Sequence, residues 1–274
     1  MLGSVDQEFI SLKQRYLEDI IVRCHRPSDF TGLFFQIPVV RQIGMRWSLH
    51  LTNQKFMLPE FSDLYITLIE NASVVGLDIE RIEPPTDGGY IAMHCFVPEL
   101  FPETETEKLI KLTNECIYAS IITFCSENKN QLESANQVKQ LMLRNPSGSI
   151  AWKSAKSRNF TAILGIDPSG VHPAGGLFSL KLINTHSGDT QERKLFDFEN
   201  YAFAQTLFNK IKISDGLVKF ESSKYWKNSF DNMPSDIIIS IADFFRCNDP
   251  CDWFKSDITW LSKRLLTPVK EPVL

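Results

Sequence analysis

The chain has 274 residues, 43% hydrophobic and 23% charged, with 20 phenylalanines among them, enough apolar mass for one large core or two modest ones. A formal net charge of −4 and a pI near 5.8 supply no global positive field, which argues against nucleic acid or an anionic membrane as an electrostatic partner. No apolar run approaches the roughly 18 residues that cross a bilayer and no secretory leader precedes the scattered cysteines, so the expectation is a soluble protein of the cytoplasm or nucleus with reduced thiols.

In chain order, Phe9, Leu12, Tyr16, Leu17, Ile20, Ile21 and Cys24 recur at three- and four-residue intervals, which predicts an N-terminal helix with a Ser4/Gln7 cap and a stop at Pro27. Trp47, Leu49 and Leu51 alternate with Arg46, Ser48 and His50, which predicts a half-buried strand with His50 on its polar side. Pro59 then opens a short amphipathic helix carrying Phe61, Leu64, Leu68 and Ile69. Val75 to Ile82 and Tyr90 to Val97 read as a hairpin across Pro84-Pro85 and Asp87-Gly88-Gly89. A helix follows from a Thr104/Glu107 capping box, running through CIYASIITFC with a β-branched strand as the competing reading of that last stretch.

A helix over Gln131 to Arg144 stops at Asn145-Pro146, and Ser147-Gly148-Ser149 is a breaker cluster, so the chain divides there into regions 1–146 and 147–274, unless it is one continuous domain. AWKSAKSRN, with Trp152, Lys153, Lys156 and Arg158, reads as a solvated loop. NFTAILGID, GLFSLKLIN and RKLFDF form an antiparallel meander. A helix with Ala204, Leu207, Phe208 and Ile211 and a strand LVKFES come next. Pro234 opens a helix DIIISIADFF, and Asp252 caps a last helix with Phe254, Ile258, Leu261 and Leu265. The expected class is α+β: a mainly antiparallel sheet flanked by the N-terminal and central helices, closed by a C-terminal helix pair.

Three stretches carry a resemblance. GLDIERI resembles the acidic strand of the phosphopantetheinyl transferases, which implies magnesium on Asp78 and Glu80; the family's Trp-Lys-Glu-Ala signature meets only Trp152-Lys153-Ser154-Ala155, so the plain reading is two carboxylates facing water. The order helix, three strands, helix, strand between Thr104 and Ser222 is similar to the restriction-endonuclease-like core, which implies a metal-dependent hydrolase using Asp167, Lys181, Glu192 and Lys194. Ser179 stands where that family has an acid, and 192–194 otherwise read as an exposed strand edge. MPSDIIISIADFFRCNDPCDWFKSDITWLSKRLL resembles an F-box at Pro234, Asp236, Ile241, Phe245 and Asp252, which implies docking onto a Skp-type ubiquitin-ligase adaptor through these C-terminal helices, with Pro234, Ile238, Ile241, Phe245, Trp253 and Trp260 as the candidate binding residues; the plain reading is a two-helix cap. The hairpin followed by a long helix also looks like the core of small secretion-chaperone folds.

His94 and Cys95 are adjacent on a strand and face opposite ways, PAGGLF lacks the lysine of a phosphate loop, and Cys247/Cys251 have no matching second pair for zinc. The sequence therefore favours a non-enzymatic subunit or adaptor of an intracellular complex whose partner is another protein, with no cofactor and no metal. The hydrolase and F-box readings stand as alternatives.

Overall fold

The computed structural model describes residues 14–25, 37–59, 61–82, 90–101, 105–125, 128–145, 147–169, 175–198, 201, 207–223, 236–248, 250–256 and 266–268. It mixes helix and sheet throughout. One helix organises both halves: α1, Pro38–Asn53, starts with its proline in the first turn, where the missing N–H has no partner to lose. It is buried nearly all round, and its apolar residues divide between two hydrophobic clusters.

Val40, Ile43, Trp47 and Leu51 of α1 face the first cluster. This cluster is the inner face of a four-stranded sheet of order β2-β4-β6-β5, built from β2 (Asp19–His25), β4 (Asp63–Glu70), β5 (Asp78–Ile82) and β6 (Tyr90–Val97). The strands β2, β4 and β6 run parallel, and β5 closes the edge antiparallel to β6. Ile20, Val22 and Cys24 alternate inward with Leu64, Ile66 and Leu68, and with Ile91, Met93, Cys95 and Val97. Two further helices, α2 (Thr106–Ile122) and α3 (Lys129–Arg144), complete the layer with Leu109, Cys116, Ile117, Ile121, Ala135, Val138 and Met142. The backbone of α1 lies almost on β2: a Cβ at Gly44 would stand 2.6 Å from the Ile20 carbonyl oxygen, so only glycine allows this approach.

Met45 and Leu49, on the other side of α1, belong to the second cluster. Its sheet contains β7 (Ile150–Lys156), β8 (Phe160–Asp167), β9 (Gly176–Asn184), β10 (Thr190–Phe198) and β14 (Leu266–Pro268), in the order β14-β10-β9-β8-β7. A three-stranded sheet of β11 (Lys210–Ser214), β12 (Leu217–Glu221) and β13 (Asp236–Ser240) contributes Val218, Phe220, Ile237 and Ile239 to the same cluster. Phe178 sits at its centre, with ring centroids 4.7 Å from Phe198 and 4.6 Å from Phe208. A small two-stranded ribbon pairs β1 (Gln14–Tyr16) with β3 (Met57–Pro59).

Arg46 ties the halves together. Its guanidinium, almost fully buried, donates to the carbonyl oxygens of Gly148 at 2.8 Å and Asn145 at 3.2 Å, and meets Asp167 at 3.4 Å.

The structure corrects several expectations. The described part of the expected N-terminal helix is two strands, Gln14–Tyr16 and Asp19–His25, joined at Leu17-Glu18; the β-branched run Ile20-Ile21-Val22 outweighs the helical spacing, and residues 4–13 lie outside the described ones. The expected strand at Trp47–Leu51 is helix α1, whose burial on both sides hides the usual polar stripe. The expected helix at Phe61–Ile69 is strand β4, with Leu64, Ile66 and Leu68 inward. Helices α2 and α3 form where expected, CIYASII belongs to α2, and β5 with β6 is the expected hairpin. The α2 N-cap is Glu105, without a side-chain cap; Thr104 lies outside the described residues. AWKSAK is strand β7, not loop, and Ile211 is in strand β11, not helix. DIIIS is strand β13, not helix, and it is followed by two short helices, α4 (Ile241–Arg246) and α5 (Pro250–Trp253); Phe254 of the expected last helix makes an isolated bridge to Ile239, and Ile258, Leu261 and Leu265 lie outside the described residues. The sheet of the first half is largely parallel, not antiparallel. Among the described residues no helix is long and apolar enough to cross a membrane.

Candidate functional site

Register across β8, β9 and β10 fixes where the expected hydrolase residues stand. Ile163, Lys181 and Glu192 form one row, Gly165, Ser179 and Lys194 the next, and Asp167, Leu177 and Asp197 the one beyond that. The face is opposite to the one that carries Leu164, Ile166, Phe178 and Leu180 into the core. Lys181 and Glu192 are thus brought together at a hollow of about 210 Å³ lined also by Ser149, Ala151, Ile163, Gly165 and Ser179, while Lys194 stands in the neighbouring row, opposite Ser179. Asp167 is not: four residues along β8 place it roughly 13 Å from the Lys181 row, and Arg46 holds it from α1.

The carboxylate in the hollow is engaged as well. Ser179 Oγ donates to Glu192 Oε1 at 3.0 Å, so at the 2.7 Å contact between Ser149 Oγ and Ser179 Oγ the Ser149 hydroxyl must donate. Gly165 makes room for this chain, since a Cβ there would lie 2.1 Å from Ser149 Oγ. Arg193, between Glu192 and Lys194, corrects the exposed-edge expectation: it is buried, and its Nε donates to the Phe244 carbonyl at 3.1 Å while the guanidinium lies 5.4 Å from the Phe244 ring centre. Among the described residues no group of three or more His, Cys, Asp or Glu side chains could hold a metal ion.

The expected docking residues of the C-terminus are largely spent on folding. Ile241 and Trp253 are buried in the second cluster. Ile238 is half-buried in β13, and its backbone N–H donates to Ser256 Oγ at 3.0 Å. Phe245 packs beside Phe160 with ring centres 6.2 Å apart. Pro234 and Trp260 lie outside the described residues. The helical periodicity that suggested docking is the alternation of a strand running into a single turn and a half of helix.

Two surfaces carry no motif in the sequence. The outer face of the parallel sheet aligns Arg23, Thr67, His94 and Glu80 in one row, with Arg23 Nε donating to Thr67 Oγ1 at 3.0 Å. Burial lowers the His94 pKa, opposed by Glu80 and aided by Arg23 and His25. His94 and Cys95 do face opposite ways, the cysteine fully buried. Asp78 and Glu80 are exposed on the edge strand β5, while Trp152 and Lys153 belong to a different sheet, so the two parts of the transferase-like pattern do not meet. Period-two alternation in IIVRCH and YIAMHC was the available signal.

The second surface is the outside of α3. Asn128 caps this helix by accepting from the N–H groups of Asn130 and Gln131, and its inner stripe of Gln131, Ala135, Val138 and Met142 is buried. Yet Leu132 is 39%, Leu141 40% and Leu143 64% exposed. Leu132 and Leu141 border a shallow groove of about 670 Å³ shared with Gln54, Asn136, Gln137 and Gln140. Eleven residues separate Leu132 from Leu143, three turns of helix, so they share a flank about 16 Å long.

No family model, curated protein or solved structure matches this chain.

Proposed function

We propose that the protein is a non-enzymatic subunit or adaptor that binds another protein through the outer face of α3. The observation that carries this reading is the placement of three exposed leucines on one helix whose inner stripe already serves the fold. A helix needs one apolar stripe to dock on its own core, and three further leucines left 39–64% exposed on its outside are more apolar surface than that docking requires. Leu132 and Leu143 on one flank, with Leu141 across the groove, suit a partner helix that presents apolar side chains at three-turn spacing, ringed by polar residues that meet Asn136, Gln137 and Gln140. Among the described residues Cys24, Cys95, Cys116, Cys125 and Cys247 form no disulfide, which is compatible with a reducing compartment such as the cytoplasm or nucleus.

The test is affinity purification of the wild type beside the Leu132→Glu/Leu143→Glu variant, each followed by size exclusion. The reading expects a stoichiometric partner with the wild type, at least tenfold less with the variant, and a cooperative melting transition for both, with only a modest drop in the variant because Leu143 is largely exposed and Leu132 partly so. Equal recovery with the variant refutes it.

A second reading, a hydrolase on the outer face of the second sheet, draws on the Lys181/Glu192 row and its hollow. It requires metal-dependent cleavage of DNA or RNA that Lys181→Ala abolishes, and a wild type inert in magnesium and manganese refutes it.

A further inference from the structure

The seam between the two halves contains a cavity of about 350 Å³, at the lower end of the size of small-molecule sites. Leu49 and Thr52 of α1, Glu18, Trp152 and Lys153 of β7, Tyr201 and Asn209 line it. A bulge in β7 between Ala151 and Lys153 turns the lysine toward this seam instead of along the outer sheet face followed by Ala151. The amine donates to the Asn209 carbonyl at 2.7 Å and lies 4.4 Å from the centre of the Trp152 ring. Among the described residues it forms no ion pair, although a carboxylate, Glu18, lines the same cavity.

We propose that this cavity binds a small aldehyde or ketone and retains it as an imine on the Lys153 amine. The wall chemistry selects this class. A single cation that shares the lining with the carboxylate of Glu18 makes the cavity a poor site for an anion, while the Trp152 and Tyr201 rings accept a carbon skeleton. Thr52 is already committed, its hydroxyl donating to the Leu17 carbonyl at 2.9 Å. The neutral amine attacks the carbonyl carbon, a proton passes from nitrogen to oxygen to give the carbinolamine, and water departs to leave the C=N bond. No oxidant or reductant is consumed.

Burial lowers the Lys153 pKa from its ordinary 10.5 to about 8, against the pull of the Trp152 ring toward the charged form. At pH 7 this raises the neutral, nucleophilic fraction about 300-fold over an unperturbed lysine. The titratable neighbours in the cavity are Glu18 and Tyr201; α1 contributes none to its lining.

The experiment incubates the full chain with benzaldehyde and cyanoborohydride, which reduces the imine to a stable benzylamine, and maps the modified lysines by peptide mass spectrometry. Lys156, exposed three residues along the same strand, is the internal reference. The expected result is benzylation of Lys153 at least tenfold faster than Lys156 at pH 7. Its rate saturates with benzaldehyde concentration, rises to half-maximum near pH 8, and loses its advantage in urea. Equal rates at the two lysines, a rate linear in benzaldehyde, or a preference that survives unfolding each overturns the proposal.

Discussion

Replacing Arg46 by methionine keeps the length and much of the packing of the side chain but removes the charge that joins α1 to the second half. Three acceptors lose their donor: the Gly148 oxygen at 2.8 Å, the Asn145 oxygen at 3.2 Å and Asp167 at 3.4 Å. The first is a well-formed hydrogen bond from a charged group, worth about 2 kcal/mol; the other two are long and add about 1 kcal/mol each at most. Burial lowers the arginine's pKa, so methionine recovers part of that desolvation cost. The net loss should be about 3 kcal/mol. In urea, followed by tryptophan fluorescence, the midpoint should drop while the slope stays constant, since the surface exposed on unfolding is unchanged. A double-mutant cycle with Asp167→Asn should recover about 1 kcal/mol of coupling, because that carboxylate is only partly buried. A loss below about 1 kcal/mol in the single variant would refute the view that Arg46 pins the halves together.

Gly44→Ala should destabilise by about 2 kcal/mol in the same assay: the clash with the Ile20 carbonyl outweighs the roughly 1 kcal/mol that alanine gains in helix propensity, and a more stable variant would contradict the close approach. Burial, aided by Arg46, holds the His50 pKa at about 4. The unfolded chain takes up that proton below about 6.5, so the stability His50 supports is full above 6.5 and lost as pH falls toward 4. Relative to His50→Gln, about 2 kcal/mol should disappear over that window, after discounting for partial exposure. Asp63 behaves in the opposite sense. Burial, with Asp19 and Glu18 beside it, raises its pKa to about 6, so its contribution is greatest below about 4 and lost as pH rises through 6. Asp63→Asn should therefore stabilise the fold by about 1 kcal/mol at pH 7 and by much less at pH 4, again discounted because the side chain is half-exposed; equal effects at both pH values would contradict the assignment.

Where one face of an element is buried and the other wet, the amino-acid pattern shows it, and β5, β6, α2, α3 and the β8–β10 meander could be read from sequence for that reason. The first seventy residues could not. Helix α1 lies between two cores, so Met45 and Leu49 face one while Trp47 and Leu51 face the other, and the union of the two stripes imitates a strand. In β2 Ile20 and Cys24 satisfy both periods, and Ile21, which belongs to the helical stripe but faces outward, and Val22, which is outside that stripe but faces inward, distinguish them. Lys153 carried no signal, because its environment is made by a bulge and by residues 135 positions away at Glu18. Arg193 hid between two exposed charges because alternation along a strand says nothing of which parity faces the core. The exposed leucines of α3 were visible only once its inner stripe was fixed.

The most direct measurement places a benzoylphenylalanine photocrosslinker at Gln137, in the groove of α3, and in a second preparation at Lys212, on the far strand β11. Both proteins are irradiated with their co-purifying partner. Crosslinks to that partner from position 137 and none from position 212 are the result the account predicts. A stoichiometric partner that crosslinks from 212 while 137 stays silent would contradict the assignment of the α3 face.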